Sequence, residues 1–352
     1  MKAFLDRKNI HPSFKLYFID AMGQMALALF ATLLMGTIFS TLYTYTSFEF
    51  FKTVSSYAQG ATGAVLGIAV ANALKAPPLV LCSVGAASLA GYQISAVFLI
   101  DGVEKSVSAG PAGAFLCAIV AAEFGKAVFK ETKVDIIVTP TVAICSGVAF
   151  GLLVCPAIAW VMYWLGDFVN TATVMQPVLM GAIVAVVVGV VLTLPISSAA
   201  LCAMIGISGI AGGAAAAGCC AQMVGFAVIS FRENGFGGLI SQGLGTSMLQ
   251  IGNIARKPIV WLAPTLAAAI LGPISTCILG MTNNAAGAGM GTSGLVGPIG
   301  CWATMSPTTD HTLLLAEIVG MYFVAPAILS LIIHLAMKRA GWVKEGDLKL
   351  QR

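Results

Sequence analysis

The sequence predicts an all-α polytopic membrane protein, and three observations support that prediction. Of the 352 residues, 59% are hydrophobic and only 9% are charged, whereas soluble domains carry about 25% charged residues. The mean hydropathy is +0.95. No charged side chain occurs between Asp167 and Arg232 or between Lys257 and Asp310. Because one crossing helix needs about 20 apolar residues, each of these gaps is long enough for more than one pass.

The hydrophobic runs predict about eight transmembrane helices. Lysine and arginine near span ends mark the cytoplasmic side, and the basic N-terminal segment 1–20 is therefore expected there. An outer loop is expected from Gly166 to Gln176. The predicted spans cover roughly 21–46, 57–74, 76–100, 110–129, 134–164, 177–195, 258–280 and 312–337.

Two further apolar segments, 196–231 and 281–303, are predicted to be re-entrant hairpins. If 196–231 crossed the membrane once, the basic tail after residue 337 would lie opposite the other basic clusters; as a hairpin, it leaves all of them inside. We therefore expect a cytoplasmic segment 1–20, a single membrane domain 21–337 and a cytoplasmic tail 338–352. Both termini are then cytoplasmic, and the lipid bilayer surrounds the membrane domain.

Two glycine-rich segments share the pattern Gly-x-Gly-Thr-Ser. "GLGTSM" begins at Gly243 and "GMGTSG" at Gly289. A dinucleotide-binding loop would need a preceding strand in a βαβ unit, and the charge-free surroundings do not predict one. Irregular backbone survives at membrane depth where protein or a water-filled cavity satisfies its polar groups. Transporters place such broken helices at their substrate sites, so we predict that both segments interrupt helices there.

Neutral polar side chains near these breaks are the candidate substrate-binding residues. Asn283 and Asn284, expected at the tip of the second hairpin, fit either hydrogen bonding to a sugar hydroxyl or capping of a broken helix. Gln250 and Asn253 in "MLQIGN" leave the same alternatives open. Hydroxyls that either line the site or satisfy released backbone groups belong to Thr246, Ser247, Thr292 and Ser293.

Two carboxylates complete the candidate set. Glu233 in "FREN" fits the mouth of a pocket or a solvated turn. Glu317 falls in the opening turns of the last span, where a carboxylate is a functional candidate unless the span begins later. The nine cysteines form no Cys-x-x-Cys pair, and we find no nucleophile–base pattern. We therefore predict no metal, no cofactor, no catalytic residue and no nucleic-acid partner.

The order of these elements resembles the membrane-embedded IIC subunits of the bacterial sugar phosphotransferase system. It is most similar to fructose-type IIC and to the branch labelled EIIC type 2 or toxin regulator. The resemblance covers roughly residues 20–335 and rests on "GPAGAFLCAIVAAEFGKAV", the span from Val134, the span ending in "TLPISSAAL", "FRENGFGGLISQGLGTSMLQIGNIARKP" and "TNNAAGAGMGTSGLVGP". It implies a homodimer in the bacterial inner membrane that binds sugar between a core domain and re-entrant hairpins and presents it to a cytosolic IIB partner.

The chain departs from that family where phosphotransfer would be expected. An acidic motif resembling Gly-Ile-Thr-Glu is replaced by "GTSM", which puts Ser247 at the acidic position. "LPISSAAL" replaces Asp-Met-Gly-Gly-Pro-Val-Asn-Lys, and "NNAAGAG" replaces a His-Gly-Gly loop. Phosphotransfer needs a base or a positioned carboxylate near the reacting hydroxyl. The resemblance therefore implies the fold and the transport role but leaves enzymatic activity open.

Two functions from different classes fit these observations. The first is a membrane transport protein for a small polar, uncharged, sugar-like solute, without phosphotransfer chemistry of its own. The alternative is a membrane sensor or regulator that keeps the IIC fold and signals to a cytosolic partner. The alternatives differ in whether the purified protein moves solute across a bilayer.

Overall fold

The computed structural model describes residues 2–11, 13–100, 103–173 and 175–350, and most of these residues are helical. They form two compact units, residues 1–163 and 164–352, whose boundary falls within one long helix. The predicted all-α polytopic class is confirmed. The single membrane domain expected over 21–337 stays a prediction.

The first unit consists of helices and one short hairpin of strands. Helices α5, α6 and α7 pack closely, and a Cβ on Gly113 would collide with the carbonyl oxygen of Gly91. Small residues allow membrane helices to approach in this way. The elements are α1 (Lys2–Arg7), α2 (Met22–Leu29), α3 (Met35–Thr46), α4 (Glu49–Gly60), α5 (Thr62–Ala73), α6 (Pro78–Gln93), β1 (Ser95–Ile100), β2 (Val103–Ser108), α7 (Gly110–Val128) and α8 (Asp135–Thr173), with π-helical turns at Leu16–Ala21 and Phe30–Leu34.

The second unit begins within α8 and is built around a central, almost fully buried helix, α11. Its helices are α9 (Pro177–Thr193), α10 (Ser198–Met204), α11 (Gly209–Ile229), α12 (Phe231–Ile240), α13 (Ile251–Arg256), α14 (Leu262–Pro273), α15 (Ala285–Met290), α16 (Val296–Met305), α17 (His311–Val319) and α18 (Ala325–Arg339). Short 3-10 turns lie at Ser247–Gln250, Pro258–Trp261 and Ser293–Leu295, and π-helical turns lie at Ser241–Gly245, Ile274–Ile278 and Gly320–Val324.

Glycine contacts bring α9, α11 and α14 together. A Cβ on Gly218 would collide with the Ala185 carbonyl oxygen, and one on Gly272 with the carbonyl oxygen of Gly181. The buried polar side chain within α11, Gln222, is satisfied: it donates to Thr265 at 3.1 Å and accepts from the Trp261 indole at 3.0 Å. The close glycine contacts and the hydrogen-bonded amide hold these three helices together beside the breaks that follow.

Six helices in the described part of the chain are long and apolar enough to cross a membrane, or seven if the bent pair α4 and α5 forms one span. They are Leu16–Thr44, Gly110–Val128, Asp135–Thr173, Gly209–Ile229, Pro258–Ile278 and His311–Arg339. Pro177–Thr193 is apolar but shorter. The predicted total of eight spans therefore stays a prediction.

The third predicted span is wrong in its last quarter, after Gln93. Helix α6 ends at Gln93, and Ser95–Ile100 is a strand paired antiparallel with Val103–Ser108. Val97, Phe98 and Ile100 have β-branched or aromatic side chains, which favour strands. In the sequence, Asp-Gly separates the two strands, and this dipeptide is a strong hairpin signal. The prediction missed it because apolar content alone does not separate a helix from a strand.

The outer loop expected from Gly166 also needs correction. It is helical as far as Thr173, because Val169 and Ala172 are buried in a cluster with α9 and α11. Segment 196–231 stays a predicted hairpin, and its longer part is long and apolar enough to cross a membrane by itself. It consists of the seven-residue helix α10, a break with left-handed glycines at Gly206 and Gly209, and the 21-residue helix α11.

Candidate functional site

The candidate site lies where the chain stops being helical after Pro258–Ile278. The backbone from Met281 to Asn283 is extended and crosses the beginning of α11, where the Asn283 amide donates to the Gly209 carbonyl at 3.0 Å. A Cβ on Gly212 would lie 2.6 Å from the Asn283 carbonyl oxygen. The glycines at the start of α11 therefore make room for the extended segment. The sequence analysis placed its breaks at the two Gly-x-Gly-Thr-Ser segments, and this break precedes the second of them.

The Asn283 side chain is fully buried and holds the break together. Its amide nitrogen donates to the Gly297 carbonyl at 2.9 Å and lies 3.5 Å from the Tyr322 hydroxyl. Its amide oxygen accepts from the Asn284 backbone at 2.9 Å. Because a buried amide without partners would be costly, these contacts fix the position of the residue that follows.

Asn284 caps α15 and is nevertheless exposed. Its side-chain oxygen accepts from the Gly287 amide at 2.8 Å, as an N-cap residue does. The amide nitrogen has no hydrogen-bond partner within the described ranges. The two asparagines lie at the base of the second hairpin, not at its tip as expected; the tip is formed by Gly291 to Leu295.

Two threonines missed by the sequence analysis lie beside the asparagines. Thr304 on α16 donates to the Thr282 carbonyl at 3.0 Å, and the two hydroxyls are 3.3 Å apart. Thr304 is exposed, as is Asn284. Gly300 lies on the same face of α16, one turn before Thr304. A Cβ at Gly300 would lie 3.0 Å from the Asn284 amide oxygen. The contact between Thr304 and Thr282 depends on how α16 folds back, so the sequence pattern did not predict this face.

Glu317 and Tyr322 both approach Cys301, which directly follows Gly300. They are five residues apart, and the π-helical turn at Gly320–Val324 begins between them. Such turns recur at functional sites. One carboxylate oxygen of Glu317 is buried and lacks a hydrogen-bond partner among the described residues. Among all the residues that the structure describes, no three or more His, Cys, Asp or Glu side chains lie close enough together to hold a metal ion.

The two Gly-x-Gly-Thr-Ser segments meet. The buried Thr292 hydroxyl donates to the Gly243 carbonyl at 2.6 Å, so the second copy satisfies a backbone group of the first. Thr246 accepts from the Met248 amide at 3.1 Å. The buried Ser247 lies 2.8 Å from the Thr193 hydroxyl. Ser293 is buried in the turn between α15 and α16. These side chains stabilise the breaks and are not exposed in the way that Asn284 is.

The remaining predicted residues bind the C-terminal segment. Glu233 accepts from the amides of Gly346 at 3.1 Å and Leu348 at 3.0 Å. Gln250 donates to the Leu348 carbonyl at 3.0 Å, and Asn253 to that of Lys349 at 3.0 Å. Glu233, Gln250 and Asn253 therefore contact the C-terminal segment and not the asparagine pair.

A salt bridge completes the contact with the C-terminal segment. Lys257 lies 2.6 Å from the Asp347 carboxylate, which also accepts from the Lys344 amide at 2.7 Å. Burial alone would raise the pKa of Asp347, but these hydrogen bonds and the two lysine charges outweigh it and lower the pKa below its usual value. The segment is thus held by ionic and neutral hydrogen bonds.

A family model described as "Phosphotransferase system, EIIC" matches residues 19–350. No curated protein and no solved structure matches the chain. The match includes every element of the candidate site, from the glycine breaks to the docked C-terminal segment.

Proposed function

Because the chain belongs to the EIIC family of the phosphotransferase system, a family of sugar-transport permease components, we propose that it binds a small uncharged, sugar-like solute at the face formed by Asn284, Thr282 and Thr304. The observation that supports this most is the exposed Asn284 amide at a backbone break. It stands next to two hydroxyls and is fixed by the buried Asn283. Neutral donors and acceptors of this kind suit sugar hydroxyls.

Glu317 extends the proposed site. Its buried, unpartnered oxygen can accept a hydrogen bond from a solute hydroxyl, and a buried acceptor without a partner is otherwise costly. A carboxylate at this depth is a functional candidate by default. We propose that it positions the solute and that Asn283 acts only through Asn284.

We also propose that the protein carries its solute without phosphorylating it. At the position where the resembling subunits have an acid, Ser247 is buried and bonded to Thr193. A hydroxyl pair cannot take the proton of a sugar hydroxyl at neutral pH as a carboxylate can. We expect a homodimer in the cell membrane with both termini cytoplasmic and with a IIB-type or regulatory protein as its cytosolic partner.

The thermal stability of detergent-purified protein tests the site. A ligand that binds only the folded state raises the unfolding midpoint, so a panel of sugars and polyols should contain one class that raises it. Asn284→Ser keeps an oxygen that can cap α15 but removes the amide. We expect this variant to fold and to lose most of the shift, as does Glu317→Gln.

Asn72 supplies the matched control. It is exposed on α5 in the first unit, and Asn72→Ser makes the same chemical change at a residue that is not part of the proposed site. Retention of the shift in Asn72→Ser and its loss in Asn284→Ser would support the assignment. An equal shift in both variants would remove Asn284 from the site, and no shift with any sugar or polyol would contradict the proposed solute class.

The alternative function, a membrane sensor that signals to a cytosolic partner, is favoured by one observation. Glu233, Gln250 and Asn253, three polar side chains close to the first glycine break, hold the C-terminal segment. A conformational change at the first glycine break would then alter these contacts with the C-terminal segment. This alternative predicts solute-dependent release of that segment without solute flux.

A further inference from the structure

A cleft of about 410 Å³ in the first unit is lined mainly by basic side chains. It lies where α5 and α7 end, close to the start of α8, and the N-terminal segment completes it. Small-molecule sites have volumes of about 300–1,000 Å³. Its charged lining residues are Arg7, Lys8, Lys75, Lys126, Lys130 and Glu131.

Lys126 and Lys8 are built into the base of this cleft. Lys126 is 2% exposed and donates to the carbonyls of Asn9 at 3.0 Å and Leu74 at 3.2 Å, while its charge pairs with Glu123 at 3.0 Å. Lys8 donates to the Phe129 carbonyl and pairs with Glu131. A buried ammonium needs such partners, so these two lysines have structural roles.

Two other lysines have no such role. Lys75 and Lys130 are exposed, and neither forms a salt bridge with any described residue. Each follows a helix end with a left-handed backbone, at φ of 54° and 59°. Glycine adopts this conformation without strain and is the usual residue at such helix ends. Lysine at both positions therefore calls for a reason that lies in the side chain. For Lys130 the Phe129 ring, whose centroid lies 5.3 Å from the ammonium, is part of that reason. Lys75 has no such ring contact among the described residues.

The cleft carries an excess of positive charge. Glu123, Glu131 and Asp135 are the carboxylates in contact with its basic residues or their backbone, against five cations. The hydrogen bond from Lys8 and the charge of Arg7 lower the pKa of Glu131, as a positive environment does. An anion is the ligand that this charge distribution favours.

Large exposed apolar side chains lie close in sequence to the cleft lining, on α7 and α8. Phe124 near the end of α7 is 54% exposed, and Ile136 and Ile137 in the first turn of α8 are 75% and 66% exposed. A free phosphate would gain nothing from them, whereas acyl chains would cover them. We propose that the cleft binds the phosphate of an anionic phospholipid, with Lys75 and Lys130 as its direct ligands and the acyl chains along α7 and α8. Basic pockets at the ends of membrane helices bind lipid headgroups by this chemistry.

Delipidated protein in a neutral detergent allows a direct test. Its unfolding midpoint is measured during titration with dioleoylphosphatidylglycerol, with dioleoylphosphatidylcholine and with inorganic phosphate. We expect only the phosphatidylglycerol to raise it at low concentration. Lys75→Asn/Lys130→Asn removes both charges, and asparagine tolerates the left-handed backbone. The apparent affinity should fall about 30-fold, since each lysine near an anionic lipid contributes roughly a factor of five.

Lys133→Asn is the matched control, because Lys133 is exposed in the same α7–α8 connection but does not line the cleft. It should retain the response to phosphatidylglycerol. An equal loss in Lys133→Asn would show attraction by surface charge in general and overturn the proposal. Equal stabilisation by phosphatidylcholine, or by inorganic phosphate at the same concentration, would also overturn it, the latter in favour of a free anion.

Discussion

At the scale of single residues, the Asn284 side chain is able to cap a helix and still offer a hydrogen bond to a ligand. The sequence left capping and ligand binding as alternatives; in the structure the side-chain oxygen caps α15 while the amide nitrogen remains exposed. Residue type and position predicted that both asparagines lie at a helix break, and their part in solute binding stays a prediction. Thr304 could not be found in this way, because its relation to Thr282 depends on how α16 folds back.

Gly300 tests whether the asparagine pair needs its close contact with α16. In Gly300→Ala the new Cβ would collide with the Asn283 amide oxygen and lie 3.0 Å from that of Asn284. Overpacking at a buried position costs about 1–3 kcal/mol, so we expect a lower unfolding midpoint together with loss of any sugar-induced shift.

Gly320→Ala is the control for this substitution. A Cβ at Gly320 meets no atom within 4 Å, and the position lies in a helical segment of the last span. Alanine should therefore change stability by less than about 1 kcal/mol, in the stabilising direction. If Gly300→Ala is as stable as Gly320→Ala in calorimetry, the described packing around Asn283 is incorrect.

At the scale of elements, the sequence predicted spans better than interruptions. Long apolar runs with charged ends predicted spans at 110–129 and 312–337, and the corresponding helical segments are Gly110–Val128 and His311–Arg339. The hairpin of β1 and β2 and the unequal arms α10 and α11 were not predicted, because an apolar run has the same composition in a strand, a half-helix and a full span. The docked C-terminal segment was also missed, since backbone groups of Leu348 and Lys349 provide its contacts.

The docking of the C-terminal segment should depend on pH through Asp347. Its pKa is lower in the folded protein than in the unfolded chain. Its stabilisation is therefore complete above the unfolded value of about 3.9 and is lost as the pH falls through the lower folded value. We expect the free energy of unfolding of wild type to exceed that of Asp347→Asn by up to about 1 kcal/mol between pH 5 and 7, and the difference to shrink as the pH falls below about 4.

Glu345→Gln is the comparison for this pH series. Glu345 pairs with Lys338 at 2.9 Å but is 81% exposed, so solvent screens the pair. This variant should match wild type in denaturant titrations across the same range. A difference between wild type and Asp347→Asn that stays the same as the pH falls from 5 to 3 would mean that the carboxylate charge is not what holds the segment.

At the scale of the whole molecule, contacts link chain ends to connections between helices. In the second unit, Lys257, directly after α13, and Glu233, in the first turn of α12, both bind the C-terminal segment, so these parts of the chain lie together. In the first unit, Arg7 pairs with Glu131 at 2.8 Å, which places the N-terminal segment beside the α7–α8 connection. The cytoplasmic placement of these basic segments stays a prediction.

Labelling of single cysteines tests the predicted orientation. In a background without native cysteines, residues introduced at Lys133 and Lys344 should both react with an impermeant maleimide only from the cytoplasmic side, because basic connections stay inside. A cysteine at Met175 should react only from outside. Reaction of the first two positions from opposite sides would contradict the placement of both termini in the cytoplasm.

The most direct test of the central claim is uptake of a labelled sugar into proteoliposomes that contain only this protein. The sugar is the one that raises the unfolding midpoint, and its chemical form inside the vesicle is determined by mass spectrometry. We predict equilibration of unmodified sugar, strongly reduced in Asn284→Ser and unchanged in Asn72→Ser. Binding without uptake in wild type would contradict transport and identify the protein as a sensor, and sugar phosphate inside the vesicles would contradict the absence of phosphotransfer.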